Sequence, residues 1–331
     1  MSIGKPERRG GYQPPKLVDT APLFAWPPQP LGLLKWLFGF PGYLWPWTAL
    51  YAAISLVTWV FLTPNLSTMK SFSVGWVAYI FCRNVALIAL FTGAWHFRLY
   101  VQRAQGTDYK YNSRWLSTDN PRFLFRNQLW DNVFWTFVSA VPIWTAYEIL
   151  TLWMQANGFV PLVGWRAHPV YCLLLMLFIP VFQETHFYVI HRLIHWPPLY
   201  RAVHSLHHEN VNPGPWSGVA MHPVEHVLYF SGVLLHWILP SHPLHVLFHL
   251  QYTALSPTQG HCGFHKIELP GKIAIRTEQY AHYLHHKYFE VNYGGDIVPF
   301  DKLFGTFHDG SDEAQEALNR RMRMRNRAPR N

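Results

Sequence analysis

Four stretches of the chain stay apolar long enough to cross a bilayer, which takes roughly 20 mostly apolar residues. Residues 43–62 form the most uniform of them, and 72–95 is broken only by Arg83 and Asn84. The third, 130–154, carries Asp131 and Glu148 near its ends, and the fourth, 170–190, has Pro180 in its middle with Glu184 and His186 toward its C-terminal end. The pattern predicts four transmembrane helices, the last of which runs on into a histidine-rich segment. A fifth apolar stretch, 227–250, contains His236, Pro240, His242, Pro243, His245 and His249. A straight lipid-facing helix would leave those polar groups without partners. The stretch therefore predicts a helical hairpin dipping into the membrane, with structural histidines.

Composition supports the membrane reading. Half of the 331 residues are hydrophobic, 17% are aromatic and only 14% are charged, against about 25% charged in an ordinary soluble domain. The fold class is thus an all-α integral membrane protein: four transmembrane helices, a membrane-dipping hairpin and a helical, histidine-rich di-metal domain. Its organisation reads as a polar N-terminal arm and interfacial segment (1–42), three transmembrane helices with their loops (43–169), a catalytic domain (170–310) and a basic tail (311–331). No cleavable signal sequence is expected, because the first apolar run starts late and lacks a small-residue cleavage site. Basic residues cluster in the arm and in the 96–129 loop, whereas the loops on the other side hold only Lys70 and Arg166. By the positive-inside rule, both termini and the histidine-rich segment face the cytoplasm, of a bacterial inner membrane or of the endoplasmic reticulum. The net charge of +9 flanks apolar runs and suits anionic headgroups rather than nucleic acid.

The chemistry lies in three histidine clusters: HRLIH (His191, His195), HSLHH (His204, His207, His208) and HYLHH (His282, His285, His286). Residues at i, i+3 and i+4 share one helical face, so each cluster aims its imidazoles at a common point. Burying eight imidazoles without a ligand would leave many polar nitrogens wanting partners. Pro197 and Pro198 stop the first helix and turn the second cluster back beside it. Glu184 and Tyr188 lie on the face of His191 and His195, where a carboxylate can orient a ligand imidazole; His186 lies off that face. Two further histidine pairs, His222 with His226 and His261 with His265, are additional candidates. A catalytic zinc uses three protein ligands, so this set suits two metals, and imidazole-rich sites accept iron, zinc, copper or nickel. Cys82, Cys172 and Cys262 are too dispersed for a thiolate site.

These clusters, an intervening HPVE segment and the sequel Asn292-Tyr293-Gly294 and Asp301-Lys302-Leu303-Phe304-Gly305-Thr306-Phe307 resemble the fatty acid hydroxylase and sterol desaturase superfamily of membrane di-iron oxygenases. The resemblance covers about 170–308. It implies two iron ions held by the eight clustered histidines, with His222 and His261 where relatives often have further ligands, and O2 as co-substrate. It implies an O2-dependent oxidoreductase acting as a hydroxylase or desaturase on a sterol or another lipid drawn from the bilayer. Acyl-chain hydroxylation and headgroup hydroxylation of an aminolipid such as ornithine lipid are alternatives. Neither a haem-binding HPGG segment nor a flavin or iron–sulfur motif is present, so electrons are expected from a separate donor such as cytochrome b5 or a ferredoxin with its reductase. Readings from another class are a histidine-rich metal transporter and a metal- or lipid-binding scaffold.

Overall fold

All four long apolar stretches fold as helices in the computed structural model, which describes residues 11–15, 18, 21–271, 273–277 and 279–327. Lys5, Arg8, Arg9 and Lys16 of the arm and residues 328–331 of the tail lie outside these. A short helix, α1 (Pro30–Phe38), precedes the first span; Pro30 occupies its first turn, where a missing N–H costs nothing. Residues 30–38 of the arm and interfacial segment thus form a helix. Leu31, Leu34 and Phe38 form an exposed apolar stripe on it, as befits a helix lying in the membrane interface.

The spans are α2 (Leu44–Phe61), α3 (Val74–Val101), α4 (Gln128–Ala156) and α5 (Pro169–Ile194), each long and apolar enough to cross a membrane. Their outward side chains, among them Val60, Phe61, Leu90, Leu173 and Leu174, are exposed, because the solvent on that side is lipid. Asn127 starts α4 by accepting the amides of Leu129 and Trp130 at 3.0 and 3.2 Å. Inside the bundle, Arg83 pairs with Glu148 and donates to Leu62 O at 3.2 Å, and so closes the C-terminal end of α2. Asn84 donates to Glu148 Oε2 at 3.0 Å. Arg83 of the second stretch and Glu148 of the third thus neutralise one another across helices, as intramembrane ions must.

The fifth apolar stretch forms a hairpin, but its second arm does more than dip. After α6 (Pro223–Phe230) and a short turn at Leu235–Ile238, the chain reverses and α7 (Pro243–Gly260) returns along the bundle axis. This helix packs against α2, α3, α4 and α5 and is buried at every position from Pro243 to Leu250. Its polar groups find partners on the surrounding helices: His245 Nε2 with Cys172 O at 2.9 Å, His249 Nε2 with Gln183 Oε1 at 2.9 Å, and Gln251 Oε1 with Ser55 Oγ at 2.8 Å. That pairing lets a histidine-bearing helix replace a lipid-facing one. The apolar core around it joins Tyr51, Ile88, Trp144, Ile179, Phe248 and Leu250.

Beyond α7 comes the only sheet among the described residues, an antiparallel hairpin of β1 (Lys266–Leu269) and β2 (Ile273–Arg276) with Lys266 opposite Arg276. Helix α8 (Tyr280–Tyr288) carries the third cluster, and α9 (Asp312–Arg327) ends the described chain.

Candidate metal centre

The clusters converge from four pieces of chain. His191 lies in the last turn of α5 and His195 caps it. The prolines at 197 and 198 then reverse the chain through Tyr200–His204 and Ser205–His208. Helix α8 brings His282, His285 and His286 from the opposite side, and His261 caps the end of the axial helix α7. Two groups result: His191, His195, His204, His208 and His285; and His207, His261, His282 and His286, with the facing nitrogens of each group all within 4.8 Å of one another.

The partners of these rings place their protons. His191 Nδ1 lies 2.6 Å from Tyr293 O, His207 Nδ1 3.2 Å from Ala220 O, His285 Nδ1 2.7 Å from Val291 O, and His261 Nδ1 3.0 Å from Pro257 O. A carbonyl only accepts, so each of these Nδ1 atoms carries the hydrogen and, on a neutral ring, each Nε2 is a bare lone pair. His204 Nδ1 likewise meets the Glu225 carboxylate at 2.8 Å. Yet in His207 and His261, where both Nδ1 atoms meet carbonyls, the Nε2 atoms face one another at 3.3 Å. Lone pair against lone pair at that distance is repulsive unless a cation lies between them.

Burial keeps the rings neutral. It pushes the His207 imidazole down to about 4 and holds His204, His208, His261, His282, His285 and His286 well below the ordinary imidazole range, with the neighbouring imidazoles adding to the effect. Neutral imidazole is the metal-binding form. Donor type, tautomer and convergence therefore all fit a pair of divalent transition-metal ions.

The NYG and D-x-x-F-G-T-F motifs acquire a role here. Asp301 accepts the amides of Tyr293 and Gly294 at 2.9 and 2.7 Å and the Thr306 hydroxyl at 2.5 Å. Asn292 donates to Ala281 O and His308 O at 3.1 and 2.8 Å. Together they fix the loop whose Val291 and Tyr293 carbonyls orient His285 and His191. At Gly295 an added Cβ would stand 2.6 Å from Glu184 Oε2, so only glycine allows the loop to approach α5 so closely.

Other candidates fall elsewhere. His222 caps α6 through Val224 N at 3.2 Å. His226 spends both nitrogens on Ser139 Oγ (2.7 Å) and Val219 O (3.1 Å), and His265 Nδ1 meets Tyr111 OH at 3.4 Å; all three lie outside both groups. Glu184 orients no imidazole: it accepts the amides of Ile297 and Val298 at 2.6–3.0 Å and so anchors the loop following the motif. Tyr188 stacks on Phe300, ring centroids 4.6 Å apart. The carboxylate that does hold a ring is Glu225, to which the spacing argument assigned no part. The signal was a lone acid in the HPVE segment of an otherwise apolar stretch.

Beside the two groups opens a cavity of about 330 Å3, reaching from His191, His204, His207, His261 and His282 to Trp36, Tyr43 and Trp47 at the interface. That volume is at the small end of ligand pockets.

Residues 175–306 match the family model for fatty acid hydroxylase. Over 202 residues the chain is 29% identical to the Delta(7)-sterol 5(6)-desaturase of Candida glabrata, covering 59% of this chain and 53% of that protein. The corresponding desaturase of Saccharomyces cerevisiae is 29% identical over 199 residues, with the same coverage of 59% and 53%. That of Nicotiana tabacum is 26% identical over 181 residues, 53% of this chain and 63% of that protein. The chain thus spans about half the length of the yeast relatives it matches. No solved structure matches.

Proposed function

We propose that this chain, which belongs to the fatty acid hydroxylase and sterol desaturase superfamily, is an O2-dependent oxidoreductase that oxidises a C–H bond of a membrane lipid, with sterol-type lipids first among the substrates. The observation that carries the reading is the pair of opposed bare Nε2 atoms of His207 and His261 within two buried groups of imidazoles. The first group would hold one iron and the second the other, His261 completing the second. Iron bound there would supply the redox chemistry that activates dioxygen, which no side chain of this protein can do.

The chain's own residues do the rest. Carbonyls of Tyr293, Val291, Ala220 and Pro257, with the Glu225 carboxylate, fix the tautomer and direction of five rings. The aromatic residues at the mouth keep water away and admit an apolar molecule from the bilayer. Electrons come from a separate protein, such as cytochrome b5 or a ferredoxin with its reductase, and the site faces the cytoplasm by the charge rule. A lipid profile of aerated cells making the intact protein, compared with cells making His207→Ala, tests this. A species heavier by 16 mass units marks hydroxylation and one lighter by 2 marks desaturation; identical profiles with a donor co-expressed, from a protein carrying no iron, would sink the proposal.

A further inference from the structure

The charge and hydrogen-bond inventory of the cavity narrows what it can hold. Three acidic residues, Glu184, Glu225 and Asp296, line it, and among the described residues no lysine or arginine does. A carboxylate, sulfate or phosphate drawn into this space would lose its water and meet no cationic side chain in exchange. An uncharged molecule meets no such penalty.

Six hydroxyl-bearing side chains also face the cavity, and four of their hydroxyls are already spent. Tyr43 donates to Leu177 O, Thr48 to Tyr43 O, Tyr51 to Gln259 Oε1 and Tyr229 to Thr253 O. The remaining two, Tyr252 and Ser256, have no hydrogen-bond partner among the described residues. They stand at i and i+4 on α7, one above the other on the same face. At 1.5 Å of rise per residue, they lie about 13 and about 7 Å along the helix axis from His261. A polar group held there places the rest of the molecule toward the histidines.

Resting on the oxidation reading above, we propose that the substrate is an uncharged lipid whose hydroxyl or carbonyl is recognised by Tyr252 and Ser256, and that the carbon oxidised lies on the order of 10 Å from that group. Lipids that would have to place an anionic group beside Tyr252 and Ser256 are excluded, because among the described residues no lysine or arginine lines the cavity there.

Equilibrium binding on the full-length protein in phosphatidylcholine nanodiscs, without reductant or electron donor, tests this apart from turnover. The probes are matched pairs: cholesterol with cholesteryl sulfate, and hexadecanol with palmitate. At least one neutral probe is expected to bind at least tenfold more tightly than its anionic partner. Tyr252→Phe and Ser256→Ala, checked for unchanged metal content and melting temperature, should each weaken the bound neutral probe about three- to tenfold, as for loss of one uncharged hydrogen bond. Gln279→Lys adds the missing cation to the lining and should raise affinity for cholesteryl sulfate or palmitate at least threefold. Equal binding within both pairs, no neutral probe bound at all, or undiminished affinity in the Tyr252→Phe/Ser256→Ala double variant each overturns the inference. A protein that keeps the selectivity but oxidises no lipid removes the oxidation reading alone, whereas one that oxidises lipid without the selectivity removes only this inference.

Discussion

The chain holds two collections of buried histidines that differ in one respect. In the candidate metal centre, a ring with one nitrogen tied to a carbonyl turns the other toward its neighbours as a bare lone pair, as His207 and His261 do at 3.3 Å. Beside the axial helix, His236 of the Leu235–Ile238 turn meets Ser241 Oγ with Nδ1 and His249 with Nε2, at 2.8 and 3.0 Å, and His249 passes on to Gln183. Every ring nitrogen in that second chain has a complementary partner. Burial alone does not make a histidine a ligand; what does is a second nitrogen that the protein leaves to something it does not itself supply.

Removing one ring from each collection separates the two kinds of histidine. His207→Ala should abolish lipid oxidation, by a factor of at least about a hundred, and lower the iron content measured by plasma emission. His236→Ala should keep its full metal content. If the two variants lost metal alike, the distinction would be void. Next in size, Glu225→Ala removes the carboxylate holding His204 and should weaken metal affinity about 10- to 100-fold, measured by competition with a chelator, with Glu225→Gln falling in between.

A pH series sharpens the contrast. The His207 imidazole is pushed down to about 4 by burial, while a released or unfolded imidazole titrates near 6.5. Below 6.5 the unfolded state therefore binds more protons than the folded one, so the site's stability is intact above about 6.5 and declines as pH falls toward 4. Retained metal after dialysis should follow that curve, and full retention at pH 4.5 would contradict it. The smallest effects should come from structural positions. His236→Ala removes the bonds to Ser241 Oγ and His249 Nδ1 and should lower stability by about 1–3 kcal/mol, and Asp301→Ala, which frees the Val291–Tyr293 carbonyls, should do likewise while also loosening metal. Thermal melts on metal-loaded protein read both.

Much of the molecule is local in origin and was legible as such. Spans require only runs of apolar residues, and 43–62, 72–95, 130–154 and 170–190 lie close to the observed helices. The three clusters required only helical periodicity and a proline stop, so the grouping of eight histidines could be read from spacing. His222 and His261 looked equivalent by that reasoning, and the fold separated them: one caps a helix and the other closes the second group. Glu184 sits on the ligand face of α5 yet holds a loop, because the chain that returns beside it presents amides rather than an imidazole.

Apolar run length and 3.6-residue periodicity are properties of neighbouring residues, and they suffice to mark a helical membrane protein with imidazoles gathered at the end of its last span. Contacts between distant segments set the division into groups of five and four, the burial of a polar helix at the bundle axis, and the carbonyls that fix the tautomers of His191, His207, His261 and His285. Backbone carbonyls are the same at every residue and carry no sequence signal. Which of them meets an imidazole depends on contacts between segments up to about a hundred residues apart, such as Tyr293 with His191, and only the folded chain brings those together.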